Sequence, residues 1–292
     1  MNTQTIAMAY WLQDKSSLPW QQRVNLFRHG LQYDLDFLRA HMCLEELKPI
    51  EDEILFAHGQ GVRFLLLTDL AFPQAIAILQ DPPLVLSYKG NWPGHIQDCL
   101  SVVGSRSPCS ESLEWLDVHL TQFIRKTKVP IISGGAHGID RKAHLVSLRQ
   151  KNTTLNFLPS GILNPYPRNW LFEEKEFLMN QGVFVSEFLP KVAVAKHHFV
   201  RRNRLISGIA SAVLILDAGI RSGTYLTARI AAEQNVPLFI LPGHPMDPRF
   251  EGSLRMISEG AAFVRDSTDL LQYFQAECSV PRTGFQNLAA RQ

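Results

Sequence analysis

Six short apolar runs recur from residue 100 onwards, and each one ends in small or polar residues that are followed by a segment with helical spacing. Strands that alternate with helices in this way need crossover connections, which build a parallel sheet covered by helices on both faces. The pattern therefore predicts an α/β fold with a Rossmann-like, doubly wound, mostly parallel sheet. The runs cover residues 100–103, 129–132, 155–158, 183–185, 213–216 and 238–241.

The first 60 residues follow a different pattern, because their apolar side chains recur three and four positions apart. This spacing places them on one face of a helix and predicts a small all-helical domain over residues 1–60. We expect this domain to resemble SAM or helix-hairpin-helix domains. The positions that carry the pattern are Leu26, Phe27, Leu31, Leu35, Leu38 and Met42.

The end of the helical domain is marked by a short helix predicted over residues 51–60, because a Gly-Gln-Gly stretch stops it. Brief strands are expected at residues 62–67 and 84–86. The sheet-containing core is therefore expected over residues 61–275, with residues 276–292 as a short tail.

Positive charge is concentrated in one segment. With 29 basic and 27 acidic side chains the net charge is only +2, so any contact with nucleic acid must come from a local patch. Residues 196–204 have the sequence Lys-His-His-Phe-Val-Arg-Arg-Asn-Arg. Arginine side chains bind phosphate oxygens in pairs, and an aromatic ring offers a face on which a base stacks. This segment predicts a nucleic-acid or polyphosphate ligand.

The four cysteines, Cys43, Cys99, Cys109 and Cys278, form no Cys-x-x-Cys pair, which argues against a zinc ribbon and against a compact disulfide framework. The chain begins without the basic and apolar segments of a secretion signal, and no apolar run is long enough to cross a bilayer. We therefore expect free thiols, a cytoplasmic location and no contact with a membrane.

Small and polar residues follow each predicted strand. In a parallel sheet the carboxyl ends of the strands share one edge, where helix N-termini and backbone N–H groups favour anions. Gly104, Ser105 and Arg106 combine a tight turn with a hydroxyl and a guanidinium group. We expect six such loops to converge on this edge: 104–106, 133–138, 159–161, 186–187, 221–224 and 242–244.

Two patterns around the second loop suggest other ligands. Residues 133–138 are similar to a dinucleotide fingerprint, but Ser133 replaces its first glycine and no acidic residue follows the next strand, which disfavours an NAD site. His137, Asp140 and His144 stand at helical offsets that suit a metal, yet the Glu of a His-Glu-x-x-His motif is missing, so a structural role is favoured.

Two further features have structural interpretations. Glu187 is an isolated carboxylate, and we expect it to pair with the arginines of residues 196–204 rather than to act as a general acid or base. The turn at residues 166–170, Tyr-Pro-Arg-Asn-Trp, is expected to bury one aromatic side chain rather than to present a platform for bases. We expect no catalytic residue, no metal site and no cofactor.

Together these motifs resemble the DNA-processing protein A family, also called DprA or Smf. The resemblance runs from about residue 61 to residue 271, and the motifs occur in the family's order. The matching motifs are Gly104-Ser105-Arg106, residues 133–140 with Ala143 and His144, Tyr166-Pro167, Ser186-Glu187, Phe199 with Arg202-Asn203-Arg204, Ser222-Gly223-Thr224 with Thr227-Ala228, residues 241–243, and Gly260-Ala261.

The resemblance implies a protein that binds single-stranded DNA and is not an enzyme. Members of the family protect incoming strands during natural transformation, help to load the recombinase RecA and commonly form homodimers, so RecA and a second copy of the chain are the implied partners. The implied DNA-binding cations are Arg106, Arg202 and Arg204, with Lys196 and Arg201 beside them. The other implied site residues are Gly104, Ser105, Gly134, Gly135, His137, Gly138, Phe199, Asn203, Ser222, Gly223 and Thr224.

The chain departs from the family pattern in three places. His137 stands where the family usually has Arg, which replaces a permanent charge by one that depends on pH. Residues 252–255, Gly-Ser-Leu-Arg, replace a more usual Gly-Thr-Asn pattern. Many relatives carry a winged-helix domain after the core, and residues 276–292 are too few for one, so we expect none in this chain.

Two other functions remain open on the sequence alone. Nucleotide phosphoribohydrolases of the lysine-decarboxylase-like group have a similar fold and a Pro-Gly-Gly-x-Gly-Thr-x-x-Glu motif. Residues 221–227 resemble it, but Thr227 stands in place of the catalytic Glu. The other function is the binding of a mononucleotide or dinucleotide, and the run of arginines favours several phosphates in a row over such a ligand.

Overall fold

The computed structural model describes residues 2–33 and 44–278, and three described helices precede the first strand. The helix predicted over residues 51–60 is the second half of a longer one, because Leu47 and Ile50 extend its buried face towards the N-terminus. The apolar positions predicted at Leu35, Leu38 and Met42 lie outside the described residues. The three helices are α1 (Thr3–Asp14), α2 (Trp20–Tyr33) and α3 (Leu44–Gly59).

Nine strands form one mixed, mostly parallel sheet in the described part of the chain, in the order β1-β2-β6-β5-β4-β3-β7-β8-β9. β3 to β9 run parallel, whereas β2 pairs antiparallel with β6, and β1 pairs antiparallel with β2. The predicted α/β class is confirmed, and each predicted run overlaps a strand. The strands are β1 (Arg63–Leu66), β2 (Val85–Gly90), β3 (Leu100–Gly104), β4 (Ile131–Ser133), β5 (Thr154–Phe157), β6 (Gly182–Ser186), β7 (Ala212–Leu216), β8 (Leu238–Ile240) and β9 (Ala262–Phe263).

Helices connect the parallel strands and cover both faces of the sheet. Along β3, Leu100 and Val102 pack into one buried apolar cluster and Val103 packs into the other, as the two-residue period of a strand requires. The helices are α4 (Gln74–Ala77), α5 (Ser110–Trp115), α6 (Thr121–Thr127), α7 (Ile139–Arg149), α8 (Trp170–Met179), α9 (Lys196–Ile209), α10 (Gly223–Glu233), α11 (Glu251–Ser258) and α12 (Ser267–Cys278). Within residues 2–33 and 44–278, no helix combines the length and the apolar character needed to cross a bilayer.

The direction in which the chain crosses the sheet reverses at β3. From β3 the chain moves outward through β4, β5 and β6, and it then returns to place β7 on the other side of β3. The loops that leave β3 and β7 therefore diverge, and a crevice opens between them at the carboxyl edge of the sheet. In open α/β sheets, ligands bind at this point.

The N-terminal helices join the sheet through buried polar contacts. Gln13, at the end of α1, donates from Nε2 to the carbonyl of Glu187 at 2.6 Å and accepts the backbone N–H of Leu84 at 2.8 Å. The apolar side chains of these helices also share one buried cluster with β1 and β2. The domain division at residue 60 stays a prediction, and most of the predicted tail, residues 276–292, lies outside the described residues.

The carboxylate of Glu187 is the centre of this junction. Its side chain is fully buried, and its Oε2 accepts from Nε of Arg201 at 3.1 Å and from Nη2 of Arg204 at 2.7 Å. Arg201 also pairs with Asp14 of α1 at 3.1 Å, and Arg204 pairs with Asp81 at 2.8 Å. Burial raises the pKa of Glu187, and the two guanidinium groups oppose that shift. The predicted pairing of Glu187 with the arginine segment is confirmed.

Replacement of Glu187 tests the strength of this junction. Glu187→Ala is expected to lower the free energy of unfolding by about 3 kcal/mol, because the buried Arg204 and the half-buried Arg201 lose their shared partner. Urea unfolding of the parent and the variant measures the loss. Glu259→Ala is the matched control: Glu259 forms an exposed pair with Arg255 at 2.8 Å, whose loss costs about 0.5 kcal/mol or less. Equal losses in both variants would contradict the role given to Glu187.

Candidate functional site

A cleft of about 380 Å³ opens at the carboxyl ends of β3 and β7. The loops that follow β3, β4 and β7 meet there, as predicted. The predicted loops at 159–161, 186–187 and 242–244 do not line it. The first two follow β5 and β6, which lie farther from the crevice than β4 does. The lining includes Gly104, Ser105, Arg106, Ala136, Asp140, Phe199, Arg202, Asn203, Ile206, Ser222, Gly223, Thr224 and Thr227.

The turn after β3 presents Arg106 to solvent at the rim of the cleft. The carbonyl of Ser105 accepts the backbone N–H of Ile139 at 3.1 Å, which ties this turn to the start of α7. Gly138 permits the close approach, because its φ is +80° and a Cβ there would lie 2.3 Å from the Ser105 oxygen. The guanidinium group of Arg106 lies over the ring of Phe199, 5.7 Å from its centroid. Arg106 is therefore an exposed cation beside an aromatic ring.

Arg202 is a buried cation beneath the same cleft. Only 5% of the residue is exposed, and its Nη1 donates to the carbonyl of Phe157 at 2.6 Å. Gly134 packs so closely against the guanidinium group that a Cβ there would lie 2.0 Å from Nη1. Burial lowers the pKa of Arg202 to about 10; Asp140 opposes this shift, and Arg106 adds to it. Because the group stays protonated at neutral pH, it adds positive potential to the floor of the cleft.

Asp140 and His144, both on α7, occupy structural positions. Oδ1 of the buried Asp140 accepts the backbone N–H of Gly104 at 3.3 Å, and burial raises its pKa. Nδ1 of His144 lies 2.7 Å from Oγ1 of Thr154, and burial, with the charge of Arg202, lowers its pKa to about 3. In the described ranges, no group of three His, Cys, Asp or Glu side chains is close enough to hold a metal ion.

The N-terminus of α10 forms the wall opposite the β3 turn. Oγ of Ser222 accepts the backbone N–H of Tyr225 at 3.0 Å and so caps the helix. A helix N-terminus carries partial positive charge and unpaired N–H groups, and both favour phosphate. Asn203 of α9 donates from Nδ2 to Oγ1 of Thr227 on α10 at 2.9 Å, which holds α9 against α10. The arrangement of this wall suits an anion.

A smaller hollow of about 40 Å³ continues the cleft beside the glycine loop that follows β4. It is bounded in part by Arg106 and Phe199, which also line the cleft, and in part by the exposed His137 and by Tyr166. The rings of Tyr166 and Phe199 meet at 90°, with their centroids 5.5 Å apart. The rings of Phe199 and Tyr166 therefore lie side by side, next to the cation Arg106.

The turn at residues 166–170 divides its aromatic side chains between the core and this hollow. Trp170 is the buried one, as predicted, and its Nε1 donates to the carbonyl of Gly135 at 2.9 Å. Tyr166 is 36% exposed and lines the hollow. The prediction that the turn buries one aromatic side chain is therefore confirmed by Trp170, whereas Tyr166 lies at the surface.

The arginine segment of α9 divides between two faces of the helix. Phe199, Arg202 and Asn203 line the cleft. Arg201 and Arg204 instead form the ion pairs of the Glu187 junction and line neither the cleft nor the hollow. Successive residues of a helix point in different directions, so one run of arginines serves both faces. The structure thus does not bring Arg201 and Arg204 into the cleft.

Three other predicted residues lie near the site without lining it. Lys196 is exposed in the first turn of α9. Gly135, with a φ of +65°, lies against the buried amide of Asn156, and Gly138 supports the β3 turn. The predicted residues that line the cleft or the hollow are Gly104, Ser105, Arg106, Gly134, His137, Phe199, Arg202, Asn203, Ser222, Gly223 and Thr224.

The sequence contained signals for the lining residues that were not predicted. Ile206 and Thr227 each follow a predicted residue by three positions, so the helical period alone places them on the same face as Asn203 and Thr224. Tyr166 belongs to a recognised motif, but its exposure depends on how the turn packs. Local spacing does not reveal that packing.

Known proteins match this chain over most of its length. A family model of DNA recombination-mediator protein A matches residues 63–275. DNA processing protein DprA of Bacillus subtilis is 29% identical over 231 residues, which are 78% of this chain and 77% of the relative. DprA of Streptococcus pneumoniae is 28% identical over 273 residues, 89% of this chain and 95% of the relative. Protein Smf of Escherichia coli is 29% identical over 272 residues, which are 92% of this chain and 70% of the relative.

Solved structures of two relatives share the fold. The structure of S. pneumoniae DprA superposes with a TM-score of 0.70 at 24% identity and covers 93% of each chain. DprA of Helicobacter pylori superposes with a TM-score of 0.63 at 26% identity, over 74% of this chain and 97% of that chain. The H. pylori protein binds single-stranded DNA.

A methyl group at Gly134 tests the position of Arg202. Gly134→Ala is expected to destabilise the fold by about 1–3 kcal/mol, because the added Cβ must displace a buried guanidinium group. Urea unfolding measures the loss. Gly223→Ala is the matched control in the same cleft, since nothing lies within 4 Å of a Cβ at that position. Its stability is expected within about 0.5 kcal/mol of the parent. An unchanged Gly134→Ala variant would contradict the placement of Arg202.

Proposed function

Because the chain belongs to the family of DNA recombination-mediator protein A, we propose that it binds single-stranded DNA in the cleft between β3 and β7. The observation that carries this function is that two arginines line the same cleft at one edge of the sheet, the exposed Arg106 and the buried Arg202. The N-terminus of α10 and the ring of Phe199 lie beside them. Cations and N–H groups suit a row of phosphates, and an aromatic ring suits a base.

We also propose that the protein acts in the cytoplasm as a homodimer that protects incoming single strands and helps to load RecA, in natural transformation or another recombination pathway. The motif resemblance and the DprA relatives support these tasks. The role is one of binding, without catalytic turnover.

Thr227 bears on the alternative of a nucleotide phosphoribohydrolase. Its hydroxyl accepts from Asn203 and donates to the carbonyl of Gly223 at 2.9 Å, so it has structural partners where such an enzyme needs an acid. The carboxylate of Asp140 also lines the cleft, but it is buried and holds the backbone N–H of Gly104. Hydrolysis of nucleoside monophosphates by the purified protein would contradict a function of binding alone.

Removal of the exposed cation tests the cleft as the DNA site. Arg106→Ala is expected to weaken binding to oligothymidine. It should also make the negative slope of log affinity against log salt shallower by about one. Fluorescence anisotropy at several salt concentrations measures both quantities. Arg255→Ala removes the same formal charge from an exposed pair on α11, outside the cleft lining, and serves as the control. Equal losses of affinity in Arg106→Ala and Arg255→Ala would contradict the assignment of the cleft as the DNA site.

The charge at residue 137 provides a second test. His137→Arg is expected to strengthen oligothymidine binding, because it places a permanent positive charge beside Arg106. The control is His197→Arg, since His197 is exposed on α9 and lines neither the cleft nor the hollow. Fluorescence anisotropy titrations measure the affinity of each variant for oligothymidine. An equal gain in both variants would indicate an effect of net charge alone and would contradict a contact at residue 137.

A further inference from the structure

Positive charge is also concentrated at the edge of the sheet opposite the cleft. Residues 121–153 contain seven basic side chains and one acidic side chain, a net charge of +6 with histidine neutral, in a chain whose net charge is only +2. This segment comprises α6, β4 and α7. Because α6 leads into β4 and α7 leads into β5, the C-terminal ends of both helices lie at the amino edge of the sheet. None of the seven cations lines the cleft or the hollow.

Two hydrogen bonds hold the ends of α6 and α7 side by side. Nε of Arg125 donates to Oε1 of Gln150 at 2.9 Å, and Nδ2 of Asn152 donates to the carbonyl of Val129 at 2.9 Å. The exposed cations that flank these contacts therefore form one surface, which we call the amino-edge patch. Its members are Arg125, Lys126, Lys128, Arg149 and Lys151.

The charge of the amino-edge patch is largely uncompensated. Asp117 lies 3.4 Å from Nη1 of Arg149, and it also pairs with Lys142, which is outside the patch. Among residues 2–33 and 44–278, the other four members of the patch form no ion pair with a carboxylate. An anion that approaches this edge of the sheet therefore meets several free charges.

Two lysines of the patch occupy positions that favour glycine. Lys128 follows α6 with a φ of +56°, and Lys151 follows α7 with a φ of +51°. A side chain is strained in this left-handed region, so helices usually place glycine there. Cations in the last turn of a helix are stabilised by its dipole, but that effect falls off beyond the helix end. Stability alone therefore does not explain these two lysines, whereas a ligand that needs their charge does.

The composition of the patch favours nucleic acid over a protein partner. Every exposed side chain in residues 121–153 is polar or charged, and the large apolar ones are buried or half-buried. Protein partners usually depend on an apolar or aromatic anchor, and an unpaired base needs a ring on which to stack. A duplex keeps its bases inside and displays rows of phosphates, which need only cations. Duplex DNA is therefore the ligand that fits the patch.

We propose that the amino-edge patch binds the sugar-phosphate backbone of duplex DNA while the cleft at the opposite edge of the sheet holds a single strand. Binding of the duplex follows from the patch alone. The simultaneous binding of two DNA segments rests on the proposed function of the cleft. A duplex at the patch leaves the cleft open, so it does not displace the strand.

Replacement of the two strained lysines by glycine separates charge from stability. Lys128→Gly/Lys151→Gly is expected to be at least as stable as the parent in urea, because glycine adopts both backbone conformations without strain. Its affinity for a labelled blunt-ended duplex is expected to fall about tenfold or more at about 50 mM salt, with a salt slope shallower by about two. Its affinity for a short oligothymidine should stay unchanged. Fluorescence anisotropy measures both affinities.

Two control variants match this one. Gln181→Gly/Asn235→Gly changes two uncharged residues with φ of +74° and +57°, and Lys15→Ala/Lys175→Ala removes two exposed charges outside the patch. Both should bind the duplex as the parent does. Equal duplex affinity of the parent and Lys128→Gly/Lys151→Gly, or an equal loss in Lys15→Ala/Lys175→Ala, would overturn the proposal. Binding of an oligoglutamate peptide at the patch, without binding of the duplex, would overturn it in favour of an acidic protein partner.

Capture on beads tests whether both segments bind at once. Beads that carry the duplex are expected to retain a labelled oligothymidine only when the parent protein is present. Arg106→Ala and Lys128→Gly/Lys151→Gly should each reduce this retention, the first by losing the strand and the second by losing the duplex. No retention by a parent that binds each DNA separately would overturn simultaneous binding. Binding of the duplex without any binding of oligothymidine would overturn the function proposed for the cleft and leave the patch standing.

Discussion

The buried guanidinium group of Arg202 is the interaction on which the arrangement of the site depends. It contacts the glycine loop at Gly134 and the end of β5 at the carbonyl of Phe157, and Asp140 balances its charge. Asp140 in turn holds the backbone N–H of Gly104 at the end of β3. A buried cation is stable only when its partners are in place, so these loops must assemble together. The cleft is therefore formed before any ligand binds.

Helix α9 connects this cleft to the N-terminal helices. One face carries Phe199 and Arg202 into the cleft, and another carries Arg201 and Arg204 into the ion pairs around Glu187. Because a helix is stiff, fixing one face also fixes the other. The arginines that do not line the cleft therefore contribute to it by orienting the helix.

The α/β fold and part of the cleft could be predicted because their signals are local. Strands alternating with helices fix the sheet, and the turns at 104–106 and 222–224 lie within a few residues of the ends of their strands in the sequence. The arginine segment is different, since a run of cations does not show which side chains meet a remote carboxylate such as Glu187. The spacing of residues 166–170 likewise does not show which aromatic side chain is buried, and the antiparallel pairing of β2 with β6 is a contact between distant segments.

The most direct test of DNA binding is a fluorescence anisotropy titration of labelled oligothymidine with the parent protein at two salt concentrations. Unlabelled single strands, duplexes and free nucleotides serve as competitors. Binding that weakens steeply with salt, and that only single strands compete away, is the predicted result, because a strand releases several counterions and a single nucleotide releases few. Displacement by free nucleotides, or no binding of the strand at all, would contradict the account.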